Sequence, residues 1–324
     1  MSAKTKESAR PVRDDEGDSL AAASALGPPS WQSRLIERLL WRLPIKKKMA
    51  SAAVIRDQVR RLALRPASYA PTSLGRDVRV DLTGWAGWPV YETSPSSGAS
   101  RNRVLFLHGG GFINEIVPAH WRFVAHLTRT ARVRCIVPIY PVAPRGTAGE
   151  IIPALGGLLR KVIEEAGSEK VTVVGNSAGA GMALAAAQWL RDAGHRQPSD
   201  LVLISPALDA SVSRPEQVEI ATRDPMNDIP GMREVARLYA GELDVTHPWV
   251  SPLNGDLHGL APIAAFAGTH DLLFPDSVAL AAKARSSGVP VELHLRRGQP
   301  HNYAGMPTPE GREARESILH VLAR

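Results

Sequence analysis

The chain has 324 residues and a formal net charge of +7, with 44% hydrophobic and 22% charged residues. This composition is typical of a globular protein, and the length allows one large α/β domain with a cap or two ordinary domains. The single cysteine, Cys135, excludes an intrachain disulfide and any CxxC metal site, and its apolar surroundings favour a buried, inert thiol. No apolar run reaches the roughly 18 residues of a transmembrane helix.

The N-terminal segment 1–30 predicts a disordered tail. Residues 1–18 are polar and carry charges of both signs, and the Ala-rich piece at 20–26 is too short for the apolar core of a secretory signal. We therefore expect an intracellular, cytoplasmic protein.

Residues 31–66 predict a basic helical segment. An apolar residue recurs every four positions, at Trp31, Leu35, Leu39 and Leu43. This spacing indicates an amphipathic helix that ends near Pro44, and a second helix is expected over 49–64. Positions 31–65 hold ten Lys and Arg residues and two acidic ones, a net +8, so the rest of the chain is nearly neutral.

Two interpretations of this segment are compatible with each other. The favoured one is a helical cap that packs on the main domain through its apolar stripe. The other is a peripheral contact with a lipid surface through the basic face over 31–65. A basic excess confined to one segment is a poor argument for nucleic-acid binding by the main domain, and no nucleic-acid partner is expected.

Residues 67–324 predict a single catalytic domain in which strands and helices alternate. Short apolar runs predict strands at 78–82, 89–93, 103–107, 133–139, 170–174, 200–204, 263–267 and 291–295. Helical patterns lie at 119–132, 150–166, 178–191, 277–286 and 312–322. Repeated β-α-β units with continuously apolar strands indicate a mostly parallel α/β sheet covered on both faces, with reactive residues in loops at the carboxyl ends of strands.

A Gly-x-Ser-x-Gly motif follows the strand at 170–174 and leads directly into a helix. A turn this tight holds the Ser177 hydroxyl out of the fold, and Gly175 and Gly179 leave room around it. We expect Ser177 to be a nucleophile; the alternative is a plain helix start with Ser177 as its N-cap.

A triple-glycine loop follows the strand at 103–107. Its backbone N–H groups can face inward without obstruction, as an acyl-transfer enzyme needs for an oxyanion hole. The expected donors are Gly110 and Gly111, joined by the N–H of Ala178, while His108 and Gly109 shape the loop. The alternatives are a flexible turn or a phosphate loop, but the glycine and lysine spacing of a phosphate loop is absent.

A serine nucleophile needs a base and an orienting acid, which in this arrangement follow it in chain order after later strands. Asp271 follows the strand at 263–267, and His301 lies in the loop after the strand at 291–295. Asp276 is the reserve acid. His270 is too close to Asp271 to be its partner, and His294 lies within a strand.

These motifs resemble those of the bacterial hormone-sensitive-lipase-like esterases, also called the α/β-hydrolase-3 group. That family carries His-Gly-Gly-Gly before a Gly-Asp-Ser-Ala-Gly-Gly turn. The corresponding residues of this chain are His-Gly-Gly-Gly at 108–111 and Gly-Asn-Ser-Ala-Gly-Ala at 175–180. The segments 140–144 and 247–253 also look like family segments, and the resemblance covers roughly 101–324. It implies an α/β-hydrolase fold with an eight-stranded sheet, no cofactor or metal, and a helical cap built from the N-terminal segment and about 210–242.

The sequence departs from the family pattern at four positions. Asn176 replaces the usual Asp, and Ala180 replaces the usual second Gly. Arg145 stands where the family often has Glu, and the acidic residue after the expected catalytic Asp is displaced to Asp276. These changes bear on substrate preference and pH behaviour and leave the expected triad in place.

The motifs predict a serine carboxylesterase that acts on a small-molecule ester through an acyl-enzyme on Ser177. The resemblance implies short- to medium-chain acyl esters. Alternatives on the same scaffold are a lactonase, an amidase, a deacetylase or a dehydratase. Two alternatives of other classes are a non-catalytic ligand receptor, which would be expected to have lost a triad member, and a lipid-surface interaction protein.

Overall fold

The computed structural model describes residues 27–65, 69–71, 74–98 and 102–324. The first 26 residues of the predicted tail lie outside this part of the chain. Ser30, at the predicted end of the tail, is the N-cap of the first helix, where its side chain accepts a hydrogen bond from the N–H of Ser33.

Eight strands form a sheet in the order β1-β2-β4-β3-β5-β6-β7-β8. The strands β1 to β8 are Val78–Trp85, Trp88–Pro95, Arg103–Leu107, Arg134–Pro138, Val171–Asn176, Asp200–Ile204, Ile263–Gly268 and Val291–Arg296. β2 pairs antiparallel with both β1 and β4. All the other neighbouring strands in this order, from β4 through β3 to β8, pair parallel. The predicted α/β-hydrolase fold with an eight-stranded, mostly parallel sheet is confirmed.

The central strands are buried along their whole length, which explains their continuously apolar sequences. Successive side chains alternate between two hydrophobic clusters, one on each face of the sheet. The edge strand β1 is mostly exposed and correspondingly mixed in composition.

Helices cover both faces of the sheet. The described helices α1 to α9 are Trp31–Arg42, Ala52–Ala63, Pro118–Thr130, Ala148–Ala166, Ala178–Asp192, Pro215–Arg223, Ile229–Ala240, Phe274–Ser286 and Pro309–Ala323. Apolar residues of α3 and α9 belong to the cluster on one face, and those of α4, α5 and α8 belong to the other. None of these helices combines the length and the apolar composition that crossing a membrane requires.

α8 and α9 begin three residues earlier than the sequence patterns predicted. α8 begins at Phe274 and α9 at Pro309, and each has a proline in its first turn. Proline is favoured there because its missing N–H has no intrahelical acceptor at that position. The apolar periodicity begins only after this first turn, which explains the difference.

The helices of segment 210–242, α6 and α7, lie next to the N-terminal segment. α2 packs on α7, and a Cβ on Gly231 would lie 2.4 Å from the carbonyl oxygen of Met49, so the two backbones nearly touch. Lys46 donates to the carbonyl oxygens of Ala221 and Asp224 at the end of α6. The N-terminal helical segment 31–65 and the segment 210–242 therefore form one layer, which we call the cap layer.

The expectation that α1 packs through its apolar stripe is wrong. Trp31 is 64% exposed, and Leu35 and Leu39 are each 47% exposed. The buried side of α1 is instead polar: the Ser33 hydroxyl contacts Gln299 Oε1 at 3.1 Å and Glu310 Oε2 at 2.7 Å. Hydrogen bonds to α9 and to the loop before it thus decide which side of α1 faces the domain.

A glycine sets the spacing between α4 and α5. A Cβ on Gly156 would lie 2.1 Å from an indole carbon of Trp189, whereas a Cβ on Gly149 in the same helix would meet only Leu243, at 4.0 Å. In a helix interior alanine is more favourable than glycine by about 1 kcal/mol. At position 156 the clash of the added Cβ with a packed ring costs more than this gain.

We predict that Gly156→Ala lowers the free energy of unfolding by about 1–3 kcal/mol. Urea unfolding followed by tryptophan fluorescence measures this change. Gly149→Ala is the matched control and leaves stability unchanged or slightly raised. Equal stabilities for the two variants would contradict the close packing of α4 on α5.

Candidate active site

The turn between β5 and α5 presents Ser177 at the carboxyl end of the sheet. Ser177 has φ 54° and ψ −122°, a backbone conformation that L-residues rarely adopt. A Cβ on Gly179 would lie 2.1 Å from the carbonyl oxygen of Leu107, and one on Gly175 would lie 2.5 Å from the carbonyl oxygen of Gly179. The two glycines let this turn close tightly against the end of β3.

Ser177, His301 and Asp271 form a hydrogen-bonded chain. His301 Nε2 lies 2.9 Å from Ser177 Oγ, and His301 Nδ1 lies 2.9 Å from Asp271 Oδ2. A carboxylate only accepts hydrogen bonds, so Nδ1–H donates to Asp271 and the neutral ring leaves Nε2 free to accept from the serine hydroxyl. All three side chains are buried.

The loops that carry the acid and the base are fixed by their backbones. Asp271 Oδ1 accepts from the N–H of Leu273 at 3.0 Å. After His301 the chain turns through Asn302 in the left-handed region, and the N–H of Asn302 donates to Ser205 Oγ at 2.9 Å. The imidazole is therefore held between two ordered loops at the ends of β7 and β8.

The surroundings of His301 raise its pKa above the ordinary value. Burial acts to lower the pKa, but the charge and the hydrogen bond of Asp271, with a further contribution from the charge of Asp224, outweigh it. An imidazole with a raised pKa accepts a proton more readily. This is the behaviour that a general base needs.

Sequence reasoning missed Asp224, a fully buried carboxylate of the cap layer that faces Asp271 and His301. Burial and the negative charge of Asp271 raise the pKa of Asp224 to about 6, against the opposing effects of His301 and backbone N–H donors. No local sequence pattern marked this residue, because the groups it interacts with, Asp271 and His301, lie far away in the chain.

His108 stays neutral and shapes the triple-glycine loop. Burial lowers its pKa to about 4, and its Nδ1 lies 2.7 Å from the carbonyl oxygen of Gly109. Its ring stacks on Tyr140 with the ring centres 4.4 Å apart, and the Tyr140 hydroxyl donates to the main-chain oxygen of His108. This gives a structural role to the segment 140–144, which the resemblance alone did not explain.

The triple-glycine loop lies directly beside Ser177. A Cβ on Gly109 would be 3.0 Å from the Ser177 Cβ, and the N–H of Gly109 donates to Asn176 Oδ1 at 2.8 Å. Asn176 thus provides the acceptor that an aspartate would provide there. Gly110 and Gly111 both have positive φ, at 142° and 58°, which explains the need for glycine.

The cap layer packs on this loop. Phe112 stacks on Tyr239 of α7 with ring centres 4.1 Å apart, and Gln58 of α2 donates to Asn114 Oδ1 at 3.0 Å. Arg145, one of the departures from the family pattern, pairs with Glu115 at 3.7 Å. The loop is therefore held between the sheet and the cap.

The structure keeps the rejected candidates away from Ser177. Asp276, the reserve acid, pairs with Arg214 at 3.1 Å, and burial raises its pKa to about 7. His270 contacts Glu37, and the ring of His294 stacks on Phe266. Cys135 is fully buried, and burial raises its pKa to about 11, as expected for an inert thiol.

A cavity of about 220 Å³ adjoins the chain neighbours of Ser177 and His301. Its lining is mostly apolar and consists of Phe106, Ala119, His120, Phe123, Asn176, Ile204, Asn302, Gly305 and Met306. Among the described residues, no group of three His, Cys, Asp or Glu side chains could hold a metal ion.

A family model of the alpha/beta hydrolase fold matches residues 104–305, which is more than half of the chain. The chain belongs to the α/β-hydrolase-3 family of hormone-sensitive-lipase-like esterases and lipases. The match includes Ser177, Asp271, His301 and the triple-glycine loop. The expected family is confirmed, and the chain is a member of a family of carboxylic ester hydrolases.

Two relatives of this chain are identical to it at about a third of the aligned positions. A triacylglycerol lipase of Mycobacterium tuberculosis (strain ATCC 25618 / H37Rv) is 34% identical over 225 residues, which cover 69% of this chain and 47% of the lipase. An acetyl-hydrolase of Streptomyces hygroscopicus is 32% identical over 189 residues, which cover 58% of this chain and 63% of that enzyme. The match thus spans about half to two thirds of these relatives.

A solved structure extends the similarity to nearly the whole fold. The crystal structure of a hormone-sensitive lipase from a metagenome library has a TM-score of 0.77 to this chain and 25% sequence identity. The superposition covers 91% of this chain and 99% of the other. The similarity therefore extends well beyond the matched residues 104–305.

We predict that Tyr140→Phe lowers the free energy of unfolding by about 1–2 kcal/mol, because the buried carbonyl of His108 loses a donor. Tyr303→Phe is the matched control: Tyr303 is also buried, but its hydroxyl lies 3.5 Å from the His294 oxygen, too far for a good hydrogen bond. Urea unfolding of both variants measures the difference. Equal losses of unfolding free energy in the two variants would contradict a stabilising hydrogen bond from the Tyr140 hydroxyl to the triple-glycine loop.

Proposed function

We propose that this protein is a serine carboxylesterase that hydrolyses short- to medium-chain acyl esters through an acyl-enzyme on Ser177. The observation that carries the proposal is the chain of two 2.9 Å contacts from Ser177 through His301 to Asp271. A serine hydroxyl is a weak nucleophile, and such a chain is the arrangement that activates it.

In the first step the Ser177 hydroxyl attacks the ester carbonyl while His301 Nε2 takes its proton. The carbonyl π electrons move onto oxygen and form a tetrahedral intermediate. The imidazolium, stabilised by the Asp271 carboxylate, then gives its proton to the leaving alcohol as the C–O bond breaks. The product of this step is the acyl-enzyme.

In the second step water replaces the alcohol. His301 takes a proton from the water as its oxygen attacks the acyl carbonyl, and a second tetrahedral intermediate forms. When this intermediate collapses, the proton passes from His301 to Ser177 Oγ and the carboxylic acid leaves. The enzyme returns to its starting state, and no cofactor is required.

Gly110, Gly111 and Ala178 are the proposed oxyanion donors. The placement of Gly109 against Ser177 and the position of Ala178 at the start of α5 support this role. The positive end of the α5 dipole also favours negative charge beside Ser177. Donors already in place stabilise the intermediate without having to reorganise during the reaction.

The size of the acyl group is proposed from the cavity that Asn176 and Asn302, the chain neighbours of Ser177 and His301, help to line. Its volume of about 220 Å³ and its apolar lining suit a short to medium hydrocarbon chain. Phe123 and Met306 are among the side chains that would limit the chain length. The acetyl-hydrolase among the relatives is consistent with a small acyl group.

A series of p-nitrophenyl esters from acetate to palmitate tests this function. We expect the highest kcat/KM on the short and medium members, and a loss of at least about 10³-fold in Ser177→Ala. Ser199→Ala is the matched control, because Ser199 lies at the opposite end of β5, where its hydroxyl accepts from the N–H of Val171. It should keep full activity.

Retained hydrolysis in Ser177→Ala would refute the acyl-enzyme mechanism. Binding of the esters without turnover by the unaltered protein would instead favour a non-catalytic receptor. Hydrolysis of lactones or anilides at higher kcat/KM than any ester would move the proposed substrate class to the lactonase or amidase alternative.

A second proposed function is a peripheral contact with an anionic lipid surface through α1. Four large apolar side chains of this helix are between 45% and 64% exposed, namely Trp31, Leu35, Leu39 and Trp41. Arg34, Arg38 and Arg42 are exposed beside them, while the acidic residue of the helix, Glu37, is turned towards His270. Apolar and basic side chains on one helix face are typical of interfacial helices.

We predict that the full chain co-sediments with vesicles of phosphatidylcholine and phosphatidylglycerol and binds pure phosphatidylcholine vesicles much more weakly. Leu35→Ser with Leu39→Ser should abolish the binding, and raised salt should weaken it. Arg60→Gln with Arg61→Gln on α2 is the control and should bind normally. Concentration-dependent self-association without vesicle binding would show that this face contacts a second copy instead.

A further inference from the structure

Asp224 lies at the end of α6, in the cap layer, and its carboxylate is surrounded by donors. Oδ1 accepts from the N–H groups of Met226 at 2.7 Å and Asn227 at 2.9 Å. Oδ2 accepts from the N–H of Leu272 at 2.8 Å and from Asn227 Nδ2 at 3.2 Å. The residue is fully buried, so these donors replace the water that a carboxylate otherwise needs.

The contact with Leu272 connects Asp224 to the loop that carries the acid. Leu272 directly follows Asp271, and the next N–H along, that of Leu273, donates to Asp271 Oδ1 at 3.0 Å. Two consecutive N–H groups of the same turn are thus held by two different carboxylates. One of these carboxylates belongs to the cap, so the backbone beside Asp271 is attached to the cap layer.

The N-terminal segment supports the same point from the other side. The Lys46 ammonium donates to the main-chain oxygens of Ala221, in the last turn of α6, and of Asp224, the C-cap of that helix. A cation at the carboxyl end of a helix is favourable, because it satisfies free carbonyl groups and offsets the helix dipole. The position of Asp224 is therefore fixed from both parts of the cap.

The charge of Asp224 also acts on the imidazole. The titratable groups that face its carboxylate are Asp271 and His301, and Lys46 contacts its main-chain oxygen. A negative charge close to His301 stabilises the imidazolium, so it acts to raise the pKa of His301. Removing that charge must lower this pKa.

We propose that Asp224 is a positioning residue: its carboxylate fixes the backbone next to Asp271 and places a second negative charge near the Asp271–His301 pair. The cap then contributes to the basicity of the triad as well as covering the site. For catalysis this role rests on the proposed function of His301 as the general base. The arrangement itself can be tested without substrate.

NMR titration of the full-length protein tests the proposal directly. The imidazole C–H signal of His301, assigned by its loss in His301→Gln, gives the pKa of that residue. We expect the His301 pKa to fall by about 0.5–1 unit in Asp224→Asn. Asp224→Ser is a second neutral variant, so a folding defect in one of them does not prevent the test. Asp224→Glu keeps the charge and should restore most of the pKa.

Asp228→Asn is the matched control, because Asp228 lies in the same cap segment but caps α7 through the N–H of Ile229 at 2.9 Å. It should leave the His301 pKa unchanged. With an ester substrate, Asp224→Asn should move the acid limb of kcat/KM to lower pH and reduce kcat roughly three- to tenfold with little change in KM.

An unchanged His301 pKa in the folded neutral variants overturns the proposal. A lowered pKa in a protein that hydrolyses no ester would leave the positioning role standing and refute the proposed function instead. Equal pKa shifts in Asp224→Asn and Asp228→Asn would indicate a general disturbance of the cap and would also overturn the proposal.

Discussion

The active-site geometry depends on the close approach between the β5–α5 turn and the end of β3. The backbone of Gly179 lies so near the carbonyl oxygen of Leu107 that no side chain fits between them. This contact fixes the start of α5, and with it both Ser177 and the N–H of Ala178, relative to the loop that leaves β3. Hydrogen bonding of Gly109 to Asn176 then ties that loop back to the residue before Ser177. This close contact and this hydrogen bond together bring the hydroxyl and the candidate donors next to each other.

Most of the catalytic domain and the residues of the site could be predicted from the sequence, because both follow from local patterns. Buried parallel strands are continuously apolar, and residues at their carboxyl ends must meet along one edge, which brought Ser177, Asp271 and His301 together without any knowledge of the loops. The stacking of His108 on Tyr140 could not be predicted, since nothing in either segment specifies the other. Asp224 was not predicted for the same reason: its carboxylate has a role only because the loop that carries Asp271 lies beside it in the fold.

The orientation of α1 could not be predicted from the apolar periodicity of its sequence. An apolar stripe predicts a buried face only when no stronger partner competes for the other side of the helix. Ser33 forms a hydrogen bond with Glu310. Glu37 forms one with His270, and the apolar stripe remains exposed. A pairing of the partly exposed Arg214 with the buried Asp276 likewise joins the cap to the domain. Interactions of this type depend on three-dimensional proximity, which composition and periodicity do not encode.

The attachment of α1 through Glu310 has a thermodynamic consequence. Glu310 accepts from the N–H of Ser30 at 2.6 Å and from the hydroxyl of Ser33 at 2.7 Å, so detaching the helix would break these hydrogen bonds and uncover their polar groups. Exposure of polar groups lowers the heat capacity, so these contacts oppose the rise in heat capacity that apolar exposure brings. Burial acts to raise the pKa of Glu310, but these donors bring it below the ordinary value. The contribution of this carboxylate to the attachment is therefore complete near neutral pH and is lost on acidification through that lowered pKa.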